Sequence, residues 1–268
     1  MEKTEQPSNR ETEKPRTPSH LLTFSPSHLD SALSTQHSAL IQEGALFVAD
    51  AHYPHHGDDF LALLRALESG EIQAPQLFLM GDIFDLLFSC GDYIRSFSAE
   101  AIGILQRLSK GMEMHYFEGN HDFCLGRLFP DMHVYPRSLQ PVAMRLGERK
   151  VMLSHGDRYD TGLGYEIYTF FLRSCRAMCL LLPWERSLID PQMRRLAKKH
   201  ICRDFPEFEA KAERIAAHYG ADTDLIVEGH FHQGRRIGRY VSLPSLACQQ
   251  KVGVLREGEI EFVETERL

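Results

Sequence analysis

The chain has 268 residues, 43% hydrophobic and 25% charged, enough for one large α/β domain or one domain with a small cap. Its net charge of −7 disfavours nucleic acid as a bulk electrostatic partner. No uncharged apolar run approaches the roughly 18 residues that a membrane-spanning helix needs.

Residues 1–20 are polar, charged and rich in Pro, Ser and Thr. They read as a disordered tail with no secretory signal. A short helix is expected over Leu29–Leu40, and residues 1–43 are taken as an N-terminal extension of a domain spanning 44–268. Strand Ala45–Ala49 leads into a loop carrying Asp50 and His52. A helix over Asp58–Glu68 places Phe60, Leu63, Leu64 and Leu67 on one face. Strand Gln76–Met80 leads to Gly81-Asp82-Ile83-Phe84-Asp85, and a helix near Ser98–Ser109 repeats the apolar face. Strand Met112–Phe117 leads to Gly119-Asn120-His121-Asp122. Val142–Leu146 and Lys150–Ser154 flank Gly147 as a hairpin, which His155-Gly156-Asp157 follows. Strand Asp224–Glu228 leads to Gly229-His230-Phe231-His232. Tyr240–Leu243, Lys251–Leu255 and Ile260–Val263 read as an antiparallel ending.

A helical insertion at about 160–220 separates His155 from the last histidine pair. Tyr165, Tyr168, Phe171, Leu172, Cys175, Cys179 and Leu182 recur at helical spacing, predicting one helix that Pro183 ends. Asp190-Pro191 reads as an N-cap with Pro at the first helical position, and a third helix is expected from Pro206 to Gly220. Between Arg158 and Arg203 stand nine basic and four acidic residues, against the acidic balance of the whole chain. A basic and apolar insertion suits either a solvated basic face over a packed core stripe, or a lid over an anionic, partly apolar ligand or a membrane surface. The six cysteines (Cys90, Cys124, Cys175, Cys179, Cys202, Cys248) show no tight pairing pattern. They read as reduced thiols of a cytosolic protein, with Cys175 and Cys179 as packing residues.

The chemistry lies in Asp50, His52, Asp82, Asn120, His155, His230 and His232. Each stands at the carboxyl end of an apolar run, where open α/β sheets place their sites. One Asp-x-His or Gly-Asp alone is ordinary turn chemistry; five such clusters together point to metal. Carboxylate, amide and imidazole without thiolate suit Mn, Fe, Zn or Mg. Two ions about 3.5–4 Å apart clamp an in-line displacement at phosphorus and lower the pKa of the attacking water. Asp82 has two oxygens and bridges the pair; Asp50, His52 and His232 complete one ion, and Asn120, His155 and His230 the other. His121 is expected beside the phosphoryl or leaving oxygen as a proton or hydrogen-bond donor. Asp122 is expected to orient His121 or a ligand histidine, with Asp85 and Asp157 as further supports. His55 and His56 are expected to face solvent. Tyr165, Arg173 and Arg176 are the substrate contacts chosen on the insertion.

These clusters resemble the calcineurin-like metallophosphoesterase superfamily, from residue 45 to about 265. The resemblance implies a four-layer αββα sandwich with two central sheets and a helical cap insertion, together with the same ligand set. Within it, Gly119-Asn120-x-Asp122-Phe123 with Leu125-Gly126, His155-Gly156-Asp157 and the insertion after it are similar to the UDP-2,3-diacylglucosamine diphosphatases of lipid A synthesis. His121 stands where many of those enzymes carry Arg. That resemblance implies an acylated nucleotide sugar as substrate, cleaved to UMP and 2,3-diacylglucosamine 1-phosphate, and two divalent ions, Mn2+ first among Fe2+, Zn2+ and Mg2+. It also implies a cytoplasmic location, peripheral on the bacterial inner membrane, with no nucleic acid and no obligate protein partner. The competing readings are a soluble phosphodiesterase or phosphatase acting on nucleotides or phosphoproteins, and a catalytically inert scaffold.

Overall fold

A computed structural model of the chain describes residues 39–159 and 161–268, without the side chains of Ile167, Tyr168, Phe170, Phe171 and Leu172. The expected tail and nearly all of the expected helix over Leu29–Leu40 lie outside the described residues, as do the side chains of Tyr168, Phe171 and Leu172 from the insertion's helical stripe.

Two sheets form the centre. The first has six strands in the order β11-β10-β1-β2-β3-β4: β1 (Leu46–Val48), β2 (Gln76–Leu79), β3 (Glu113–Phe117), β4 (His133–Tyr135), β10 (Lys251–Arg256) and β11 (Glu259–Glu264). The second has five in the order β5-β6-β7-β9-β8: β5 (Val142–Leu146), β6 (Arg149–Ser154), β7 (Leu225–Glu228), β8 (Arg235–Ile237) and β9 (Tyr240–Ser242). β1 through β4 pair in parallel, as do β6, β7 and β9. Parallel strands carry apolar side chains on both faces because both faces are covered. Phe47, Phe78, Phe117, Val151, Leu153, Val227 and Val241 fill the space between the sheets.

Helices α1 (Asp59–Ser69) and α3 (Ala99–Leu108) pack Phe60, Leu64, Ile102 and Leu105 onto the outer face of the first sheet, against Leu46, Val48, Leu77 and Leu79. Helix α7 (Phe208–Ala216) packs Phe208, Ala212 and Ile215 onto Ile226 and Tyr240 on the outer face of the second. The result is a four-layer αββα sandwich. Ile41 is buried in the inter-sheet core and Leu40 bridges to Arg145, so packing reaches back past the expected boundary at 44.

Above the sheets' carboxyl ends sit α2 (Asp92–Ser96), α4 (Leu163–Leu172), α5 (Cys175–Leu180) and α6 (Glu185–Ala197). Three details differ from the sequence reading. The single helix expected up to Pro183 breaks after Leu172, and the Ser174 side chain caps α5 by accepting from the Ala177 amide. Apolar periodicity alone does not register such a cap. Pro191 lies inside α6 rather than at its start. It is exposed, while Ile189, Met193 and Leu196 on the buried face hold the helix against Phe88, Ile94 and Phe123; Asp190 receives the Tyr93 hydroxyl instead of capping. The strands β4 and β8 and helix α2 are too short to carry a periodicity signal.

The cysteines correct the reading most sharply. Cys124–Cys175 and Cys202–Cys248 are disulfides, with Cα–Cα distances of 5.7 and 5.4 Å. The partners lie 51 and 46 residues apart in sequence, so no local spacing announces them. Cys175 is therefore a cross-link and not a packing residue.

Candidate functional site

The loops that follow β1 and β2 extend the ladder beyond the strands. The amides of Asp50, His52 and Tyr53 donate to the carbonyls of Gly81, Asp82 and Ile83 at 3.1, 3.1 and 3.0 Å. That pairing sets the Asp50 and Asp82 loops side by side. Five of the seven candidate ligands have positive φ: Asp50 50°, His52 45°, Asp82 51°, His230 66° and His232 57°. Non-glycine residues rarely adopt this backbone, and its concentration here marks a site whose side-chain aim is bought with local strain. Gly119 approaches so closely that a Cβ there would collide with the Asp82 carboxylate and amide.

The ligand atoms converge in two groups. Those of Asp50, His52 and His232 lie within 4.8 Å of one another, and so do those of Asp82, His155 and His230. Asn120 joins the second group, its Oδ1 3.3 Å from His155 Nε2. Asp82 Oδ1 is 3.6 Å from His155 Nε2 and accepts the His121 amide at 2.9 Å. His155 Nδ1 donates to the Met80 carbonyl at 3.0 Å, which leaves Nε2 facing the cluster.

Electrostatics fit cations. Asp50, His52, Asp82 and His155 are buried. Both ring nitrogens of His52 lack a hydrogen-bond partner, and Asp50 Oδ1 has only the charge contact with His232 Nε2 at 3.2 Å. Orphaned donors and acceptors this deep are costly unless something binds them. Burial drives His52 down to about 3, helped by His121 and His232. Burial and the neighbouring His155 take His230 down to about 4. Both imidazoles are therefore neutral, as a metal ligand must be. Burial alone would raise the Asp82 carboxyl, but the imidazoles of His155, His121, His52 and His230 hold it far below its usual range. Burial likewise opposes ionisation of Asp50, yet His232 and His155 keep it lowered. His155 resists the effect of its own burial and rises to about 9, because Asp82, Asp157 and Asp50 surround it. The residues present thus fit two divalent ions, the complement that the calcineurin-like family implies.

The supporting residues divide differently from expectation. His121 does sit at the site edge, its ring 5.0 Å from that of His52 and its Nδ1 2.6 Å from the Asp85 carbonyl. Asp122 has another task than orienting a histidine. Its Oδ1 accepts the amides of Asp82 and Gly119 at 3.0 and 2.9 Å. Its Oδ2 accepts Ile83 N and Tyr116 OH at 2.6 and 2.7 Å. It holds the Asp82 turn, and burial beside the Asp82 charge pushes its own carboxyl up to about 7. Asp85 gathers histidines: Oδ2 accepts His55 Nδ1 at 2.8 Å, and Oδ1 lies 3.8 and 3.6 Å from His52 Nδ1 and His56 Nε2. His55 and His56, expected to face solvent, turn their rings to that carboxylate. Asp157 accepts the Tyr165 hydroxyl at 3.1 Å and pairs with Arg173 and Arg137.

A cavity of about 450 Å³ opens from Asn120 and His121 into the helical cap. Tyr165 and Arg173 line it, together with Arg195 and Lys199 and an apolar wall that includes Phe88, Phe123, Met178, Leu181 and Ile189. Among the described residues, Arg173 Nε and Nη1 are buried and have no hydrogen-bond partner. Arg176 is exposed on α5 and does not line the cavity, because helical rotation turns it outward from the Met178 face. Sequence reasoning missed Lys199, whose Nζ is 3.5 Å from His121 Nε2. It also missed Gln140, whose side chain accepts the His155 amide at 2.7 Å and donates to the Glu118 and Tyr135 carbonyls. Nothing local marks Gln140, while the Lys198-Lys199 pair was visible only as part of the basic excess.

Residues 45–234 match the family model of the calcineurin-like phosphoesterases. The UDP-2,3-diacylglucosamine hydrolase of Aeromonas salmonicida is 28% identical over 199 residues, covering 70% of this chain and 77% of that protein. The UDP-2,3-diacylglucosamine hydrolase of Chromohalobacter salexigens is 29% identical over 201 residues, covering 70% and 79%. The protein of the same name from Bordetella parapertussis is 29% identical over 241 residues, covering 78% and 88%. The chain belongs to the calcineurin-like phosphoesterase family.

Proposed function

We propose that this phosphoesterase hydrolyses the pyrophosphate of UDP-2,3-diacylglucosamine, releasing UMP and 2,3-diacylglucosamine 1-phosphate for lipid A synthesis. The observation that carries this reading is the cavity that joins a cation-binding floor to a greasy wall. A nucleotide sugar with two acyl chains has that same polarity, anionic at one end and apolar at the other. The names of the relatives point to the same substrate.

In this reading Asp50, His52 and His232 would hold one ion and Asn120, His155 and His230 the other, with Asp82 available to both. Divalent ions bound there, Mn2+ by preference, would supply an acidified water and positive charge over the phosphoryl oxygens. The protein's own groups do the rest. Asp122 and the Gly119 turn keep Asp82 in place. His121 stands at the cavity floor where its Nε2 faces a phosphoryl or leaving oxygen, since Nδ1 is occupied by the Asp85 carbonyl. Lys199 and Arg173 complement the second phosphate, and Arg173 has two unused donors for it. Leu181, Leu188 and Ile189 exclude water from the acyl chains.

No described helix is long and apolar enough to cross a membrane. Leu163, Leu180, Trp184 and Leu188 are nevertheless exposed on the basic cap, which suits peripheral contact with an anionic bilayer surface.

The test is a panel with Mn2+: UDP-2,3-diacylglucosamine, UDP-glucosamine without acyl chains, and a chromogenic diester. Rapid UMP release from the acylated compound alone supports the reading. Good diester turnover with no UMP release would leave the general phosphodiesterase instead.

A further inference from the structure

Every cysteine of the chain stands at the boundary between cap and body. Cys175 and Cys179 lie on α5 and Cys202 just beyond α6; Cys90, Cys124 and Cys248 lie on loops and a helix of the body. Six cysteines admit fifteen pairings. The two disulfides in the structure, Cys124–Cys175 and Cys202–Cys248, each join one cap residue to one body residue. The remaining two thiols are Cys90, half-buried, and Cys179, exposed. They are one more cap-to-body pair, and Cys179 is the titratable group that neighbours Cys90. Cys90 packs beside Phe88, Phe123 and Met178, the same cluster that receives Cys124.

We propose that Cys90 and Cys179 form a dithiol modification site, closing to a third cap-to-body disulfide when a small-molecule disulfide oxidant reaches it. Cys179 is exposed and meets the oxidant first. Its thiolate attacks one sulfur of the oxidant, forming a mixed disulfide and expelling one thiolate. The Cys90 thiolate then attacks Cys179 Sγ, forming the Cys90–Cys179 bond and expelling the second. Two protein thiols are oxidised, one oxidant disulfide is reduced to two thiols, and the protons pass to the departing thiolates. Burial and the neighbouring Cys179 push the Cys90 thiol up to about 11, consistent with its acting second.

The position gives the bond a consequence. Cys90 follows Phe88 by two residues and Cys179 follows Met178 directly, and both Phe88 and Met178 line the cavity. A bond between them pins α5 across the apolar wall. With Cys175 already tied to Cys124, α5 would then be held at both ends, and long chains that need it to shift would enter less readily than small substrates at the floor. This consequence rests on the acyl-chain reading of the cavity; the cross-link itself does not.

The full chain, purified without reductant, is treated with oxidised glutathione and mapped by non-reducing mass spectrometry. Titratable thiols should fall from two to none, with appearance of a Cys90–Cys179 peptide pair. Cys179→Ser should yield no such pair while keeping the basal turnover of a chromogenic diester. KM for the acylated substrate should rise at least about threefold on oxidation, with diester KM unchanged. Glutathione left on Cys179 while Cys90 still alkylates overturns the site, as does a thiol count that stays at two. A formed cross-link with unchanged KM for the acylated substrate overturns the gating. A protein that never cleaves the acylated substrate would defeat the proposed function yet leave the peptide map to decide the cross-link.

Discussion

In the body of the molecule each candidate ligand follows a buried strand, and the loops that carry Asp50 and Asp82 are tied to one another by four backbone hydrogen bonds. In the cap no residue of α5 is buried, and Leu180, Trp184 and Leu188 are exposed. The body stores strain and buried charge at fixed positions. The cap offers apolar area on short helices joined to the body by two disulfides, a small cluster around Phe88 and Phe123, and polar ties such as Arg173 with Asp157 and Tyr93 with Asp190. Precise aim is affordable where packing is dense, and adaptability to a long apolar ligand is available where it is thin. Chemistry should therefore fail on body substitutions, and selectivity on cap substitutions.

The largest effect is expected in the body. Asp82→Ala should lower kcat by about a thousandfold, roughly 4 kcal/mol of barrier, if Asp82 is the carboxylate that the two ions would share. Metal content by elemental analysis should fall with it; full activity in this variant would refute the ligand assignment. Chelation should remove turnover of every substrate and also lower Tm, since ions held by the folded site alone stabilise it and their loss leaves Asp50 and Asp82 as buried carboxylates without a bound cation. Mn2+ should restore both, and a Tm indifferent to chelator would argue against an ion-filled site.

Asp122→Asn should cost about 2–3 kcal/mol of stability, read by urea unfolding, because an amide nitrogen would oppose the backbone donors that the carboxylate now accepts. In the cap, Leu181→Gln should raise KM for the acylated substrate about tenfold, worth about 1.4 kcal/mol, with diester turnover unaltered. Equal losses on both substrates would erase the division between the regions.

A further effect lies far from the site. His115 is buried between Phe78 and His133, and burial with the His133 charge takes it down to about 4. Its folded value is below the ordinary 6.5, so the unfolded chain binds the extra proton first. Stability should fall as pH drops from about 6.5 towards 4, by at most about 3 kcal/mol. His115→Phe should flatten that part of the Tm profile, and an unchanged slope would assign the acid sensitivity elsewhere.

Much of the site was legible because its residues announce themselves locally. Asp50, Asp82, Asn120, His155 and His230 each follow an apolar run by one to three residues, so strand and ligand are read in one glance. Asp122 was legible as important but not in its role, since its partners Ile83 and Tyr116 are set by loop geometry. Arg173 and Arg176 look equivalent in the sequence; the turn between α4 and α5 places Arg173 on the cavity, while Arg176 stands exposed on α5. Gln140, which ties the ends of β3, β4 and β6 together, carried no signal at all.

The order of residues alone determined the alternation of apolar strands and helices and the ligand types after them, because continuous apolar runs and the loops that follow are short-range patterns; the layered αββα class was implied by the resemblance of those motifs to the calcineurin-like family. Tertiary structure alone decided which cysteines meet, which cations reach the cavity and how far the apolar wall extends. Those depend on contacts between segments tens of residues apart, where chain closure, burial and helix rotation set distances that no local spacing encodes.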